Sequence, residues 1–87
     1  MKLDTRVEVL WNDITDSGAD WTAVKTLKSF KPTPCHTIGY LHEETEEYIR
    51  VVTNYLTEKG KITEYSGAVV IPKGCISAVI YLEAKDE

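Results

Sequence analysis

Residues 68–82 narrow most what this chain can become. Ala68-Val69-Val70-Ile71 is followed by the break Pro72-Lys73-Gly74 and then by Cys75-Ile76-Ser77-Ala78-Val79-Ile80-Tyr81-Leu82. β-branched and aromatic residues dominate both sides, a composition that suits pleated strands. Proline and glycine so close together leave room for a single tight turn. In the second run Ile76, Ala78, Ile80 and Leu82 point to one side and Val79 and Tyr81 to the other, so both faces are apolar. The same holds for Ala68-Val69-Val70-Ile71. Strands of this kind need cover on both faces.

Further strands are legible upstream. Val7, Val9 and Trp11 alternate with polar or outward positions, the period of a half-buried strand. A second strand is expected over 35–41, with Gly39 as a bend or bulge, and a turn at His42-Glu43-Glu44-Thr45-Glu46. The β-branched run 48–55 reads as the longest strand, and Gly60 as the positive-φ residue of a hairpin turn. The return over 62–71 is expected to be irregular near Ser66-Gly67. One short helix is expected at about 20–30, capped by Asp20, striped by Ala23, Val24, Leu27 and Phe30, and ended by Pro32 and Pro34.

Five strands in meander order with one inserted helix predict a mainly β fold, a five-stranded small barrel, because closure removes exposed edges. The 87 residues make a single domain, 1–87, whose ends 1–4 and 84–87 are expected to be flexible. A chain this short buries only about 60% of its unfolded surface. With two cysteines and no clustered metal ligands to reinforce it, a homo-oligomer is the expected source of the missing cover.

The net charge of -4 makes nucleic acid an unfavourable partner, since that binding depends on cations neutralising phosphates. No stretch approaches the length of a membrane span, and the start lacks a basic, then apolar, leader. A cytoplasmic protein with reduced thiols is therefore expected. Cys35 and His36 point to opposite faces of a strand and cannot form a thiolate–imidazole pair. Cys35, His36, His42 and Cys75 lack the local spacing of a zinc site. Glu43, Glu44, Glu46 and Glu47 read as a solvated turn, without the alternating oxygen ligands and central glycine of a calcium loop. No phosphate loop, nucleophile elbow or paired-carboxylate motif is present, so a non-enzymatic protein without cofactor or metal is expected.

Charge is uneven along the chain. Residues 21–42 hold Lys25, Lys28 and Lys31 and no Asp or Glu, a local +3 within an acidic protein. Trp21, Lys25, Lys28, Lys31 and His36 are the candidate ligand-binding residues. An aromatic ring for stacking beside cations for phosphate suits an anionic aromatic ligand such as a nucleotide. The alternative is that the lysines merely solvate the helix while Trp21 anchors the core.

Several motifs together resemble a family of small proteins encoded by bacteriophages and prophages. They are Val7-Glu8-Val9-Leu10-Trp11, Trp21 before the helix, Lys31-Pro32, Cys35-x-x-Ile38-Gly39-Tyr40-Leu41 with following acids, and Ile71-Pro72-Lys73-Gly74-Cys75-Ile76. The resemblance spans most of the chain and implies no catalytic residues. Ile71-Pro72-x-x-x-Ile76 is also similar to the turn before the last strand of SH3-like barrels, and the strand layout to Sm-like barrels. The tyrosine-rich opening and paired tryptophans of an SH3 peptide groove are absent, as are the glycine-centred RNA signatures of Sm-like proteins. The resemblance implies a non-catalytic phage accessory protein. Its expected role is to sequester a nucleotide-like host-defence messenger between subunits of an oligomer; the alternative is a protein–protein module docking on a host or virion protein.

Overall fold

A computed structural model describes residues 5–82; the expected flexible ends, 1–4 and 84–87, lie outside the described residues. The strands are β1 (Arg6–Asp13), β2 (Thr33–Glu44), β3 (Tyr48–Val52), β4 (Asn54–Glu58), β5 (Lys61–Ser66), β6 (Val69–Pro72) and β7 (Ile76–Leu82). A one-turn helix α1 (Val24–Leu27) interrupts the β1–β2 connection, and a 3-10 turn (Lys73–Cys75) joins β6 to β7. One sheet has the order β6-β3-β2-β1-β7, and β4 and β5 form a separate two-stranded sheet.

The alternation of β1 sends Val7 and Val9 inward, where they meet Ile49 and Val51 of β3 and Ile71 of β6 in a fully buried cluster. Trp11, Leu41, Cys75, Ile76 and Val79 pack around it. Among the described residues no second layer covers this face, since α1 buries none of its residues. The sheet therefore covers itself by coiling. Strand twist supplies part of the bend, and register shifts at Leu10/Trp11 against β7 and at Leu41/Glu43 against β3 supply more. Gly39 lets β2 lie close on β3: a Cβ there would stand 2.6 Å from Val51 Cγ1 and 2.6 Å from the Val52 carbonyl oxygen.

This topology corrects the expected five-stranded SH3-like or Sm-like barrel. Among the described residues the coiled sheet stays open, because β6 and β7 are its two edges and no ladder joins them. The three-residue turn after Pro72 carries the chain across the end of the sheet to the far side of β1. It does not reverse the chain beside β6 as a hairpin would. The meander order is corrected for the same reason.

Three local expectations also change. The run 48–55 breaks at Thr53, and the return breaks at Gly67-Ala68, so β2 is the longest strand at 12 residues. Gly67 has φ +67°, and a side chain there would run into Thr53. The Thr53 amide donates to the Ser66 carbonyl at 3.3 Å, and beyond that point β4 and β5 leave the body as an arm whose every residue is exposed. The helix shrinks to four residues, with Ala23 rather than Asp20 at its N-cap and no side-chain cap. An apolar stripe without a packing partner does not sustain a longer one. Finally, β2 runs on to Glu44, so Glu43 and Glu44 belong to a strand and not to a turn.

Candidate interaction surface

The β1–β2 connection leaves the sheet and returns to it at a fixed point. Thr15 Oγ1 donates to the Lys31 carbonyl at 2.7 Å and lies 2.8 Å from Thr33 Oγ1. The Gly18 amide donates to Asp16 Oδ1 at 2.8 Å, closing the tight turn where Gly18 takes φ +65°. Above this root the loop is bare. Trp21 is fully exposed, and Ile14, Val24 and Leu27 are all more than half exposed. Trp21 is therefore not a core anchor. That role falls to Trp11, which packs on the buried cluster while its indole Nε1 donates to Thr37 Oγ1 at 2.9 Å.

Lys25 lies in α1, Lys28 directly after it and Lys31 on the return to β2, all exposed. These three and Trp21 share one connection. His36 stands apart from them on β2, where its Nδ1 is 3.0 Å from Glu8 Oε2 on β1. The Glu8 carboxylate already faces one nitrogen of His36 and offsets what that ring could offer an anion. Four exposed apolar side chains and three lysines on an open loop offer contact area in place of an enclosed cavity.

The arm carries a cleft of roughly 160 Å³ lined by Asn54, Tyr55, Leu56, Glu64, Tyr65 and Ser66. Small-molecule sites usually enclose about 300–1,000 Å³, and none of the expected ligand residues lines this one. Two edge-on ring contacts hold the arm at its root: Tyr40 with Tyr55 at 5.5 Å and His42 with Tyr65 at 5.1 Å. Beside them Arg50 reaches Glu43 Oε1 at 2.9 Å and His42 Nδ1 at 3.3 Å, and it lies over the Tyr48 ring.

A second polar cluster gathers at the end of β2. Glu44 accepts from Lys73 Nζ, in the 3-10 turn, and from the Tyr81 hydroxyl, on edge strand β7, each at 2.5 Å. Lys73 and Tyr81, by these hydrogen bonds, hold the Glu44 carboxyl below its ordinary pKa despite partial desolvation. The Glu44 carboxylate in turn pushes the Tyr81 phenol upward. Side chains thus clasp the end of β2 to the 3-10 turn and to β7, with which β2 shares no ladder.

Comparison with protein-family models, curated proteins and solved structures finds no match. Cys35 and Cys75 are free and half-buried. Among the described residues no three His, Cys, Asp or Glu side chains gather where they could hold a metal ion, and no helix is long and apolar enough to cross a membrane.

The Glu44–Lys73–Tyr81 cluster was not legible in the sequence, because its members are 29 and 37 residues apart and meet only when the sheet coils. The Glu43–Arg50 pair was recoverable in principle. These residues sit opposite each other in the β2–β3 register, and opposite charges at the ends of two consecutive strands are its signal.

Proposed function

We propose that this protein is a non-catalytic interaction module that captures its target on the β1–β2 loop. The observation that carries this reading is the full exposure of Trp21 together with Ile14, Val24 and Leu27, on a loop tied down at Thr15 and Thr33. Exposed tryptophan is the residue type that most often anchors an interface, and apolar neighbours exclude water around it. Lys25, Lys28 and Lys31 supply a cationic rim, which selects an acidic surface on a protein target. The proposed target is a host or virion protein. Exposed apolar side chains on the sheet edges, Val70 of β6 and Ile80 and Tyr81 of β7 among them, support a working form assembled from several copies.

A second reading, capture of an anionic aromatic ligand such as a nucleotide between subunits, is favoured by the pairing of a bare indole with lysines on one loop. The open geometry and the Glu8 partner of His36 favour it less than the protein target.

A photo-crosslinking amino acid replacing Trp21 tests the proposal in cells where the protein is active. A discrete adduct with one acidic protein, lost when Lys25→Glu and Lys28→Glu are added, is the expected result. Recovery instead of a near-stoichiometric small anion from heat-denatured protein selects the second reading. Neither adduct nor small anion overturns both.

A further inference from the structure

The β4–β5 arm is an apolar element held away from its own body. All of its strand residues are exposed, although they include Tyr55, Leu56, Ile62 and Tyr65. The radius of gyration is 17.2 Å, and the molecule measures 58 × 28 × 24 Å. A compact chain of this length has a radius near 12 Å. A lone two-stranded hairpin is at best marginally stable in water. This one is nevertheless fixed in direction by the Tyr40–Tyr55 and His42–Tyr65 contacts and by the Thr53–Ser66 hydrogen bond at its root. Both of its long edges are free of ladder partners, since the two strands constitute their own sheet.

Charge identifies what covers it. The chain carries -4, but the arm holds Glu58, Lys59, Lys61 and Glu64 and is neutral. A neutral arm lets two copies of an acidic chain meet there without net repulsion. The signs are also self-complementary along the arm: Glu64 lies midway, opposite Leu56, and Lys59 at the tip, so a two-fold axis between antiparallel arms overlapping over their outer halves brings Lys59 of each copy toward Glu64 of the other.

We propose that the arm is a homotypic contact, in which the β4–β5 hairpin of one copy is covered by the β4–β5 hairpin of a second copy. This rests on the assembly reading above and adds the arm to the sheet edges named there, and it leaves the Trp21 loop free for its target.

Solution mass by light scattering on the full chain, with two charge variants, tests it. The wild type is expected at about twice 9.8 kDa. Glu58→Lys with Glu64→Lys gives an all-basic arm, and Lys59→Glu with Lys61→Glu an all-acidic one. Each variant alone is expected to be a monomer, and an equimolar mixture to restore the dimer mass. Retained amide protection in β1, β2 and β3 shows that the body stays folded in each variant. A monomeric wild type overturns both the arm contact and the assembly. A wild-type dimer that persists in both variants, or a mixture that stays monomeric, overturns the arm contact alone.

Discussion

Adding one methyl group at Gly39 tests the coiled-sheet account at its tightest point. A Cβ built there stands 2.6 Å from Val51 Cγ1 and 2.6 Å from the Val52 carbonyl oxygen, against ordinary contacts of 3.4–4 Å. Neither neighbour can yield easily: Val51 is fully buried in the core cluster, and Val52 is held in register opposite Tyr40. Relief must come from moving β2 off β3, with loss of packing on both sides. Overpacking of this kind costs about 1–3 kcal/mol, and the rigid backbone oxygen puts Gly39→Ala in the upper part of that range. For a domain of this size each kcal/mol shifts the melting midpoint by roughly 4–8 °C, so a fall of roughly 10–20 °C is expected. Urea unfolding with an unchanged m value is the assay. Gly74→Ala is the control, because nothing lies within 4 Å of a Cβ at that position and its φ is not positive; it should stay within about 0.5 kcal/mol of wild type. Equal stability of the two variants refutes the close approach of β2 to β3.

The remaining predictions concern the clasp, the core and the loop. Because the Glu44 pKa is lowered by Lys73 and Tyr81, its contribution is present above the unfolded carboxyl pKa and is lost as pH falls through the lower folded value. Because the Tyr81 pKa is raised by Glu44, its contribution is full below the unfolded phenol pKa and is lost as pH rises through the folded value. Glu44→Gln should flatten both slopes in urea titrations across pH and cost about 1 kcal/mol at neutral pH, as expected of a partly exposed charged hydrogen-bond pair. Val9→Ala should cost about 2–3 kcal/mol by urea unfolding, since Val9 is fully buried in the only cluster that its strand feeds. Trp21→Ala should change stability by less than about 0.5 kcal/mol, because the indole touches no core residue, yet abolish the crosslinked adduct formed from a neighbouring loop position.

Which parts of this molecule could be read from sequence follows from how local each feature is. The inward set Val7, Val9 and Trp11 is written in a two-residue period, and the structure places all three on the core side. The irregularity near Ser66-Gly67 was legible because glycine alone tolerates the φ it takes there. The break at Thr53 was not, since threonine itself favours strands and the close approach of Thr53 to Gly67 across the ribbon is a long-range feature. Barrel closure failed for a related reason. Apolar residues on both faces of β6 and β7 suit a closed wall and an exposed edge equally well, and only long-range pairing decides between them. The stripe of Ala23, Val24, Leu27 and Phe30 suggested a longer helix, but no surface of the body lies under it. At the candidate surface, the acid-free run with Trp21, Lys25, Lys28 and Lys31 was visible as composition. The Glu8 partner of His36 was not, because it depends on the β1–β2 register.

The central claim is that the Trp21 loop is bare in the isolated protein and covered when the protein is at work. Hydroxyl-radical labelling of Trp21, performed on purified protein and inside the cells where it acts, measures this directly, with half-buried Trp11 as the internal reference. The account predicts strong Trp21 labelling in the purified protein and at least several-fold protection in cells, with Trp11 unchanged. Equal labelling of Trp21 in both settings would contradict it.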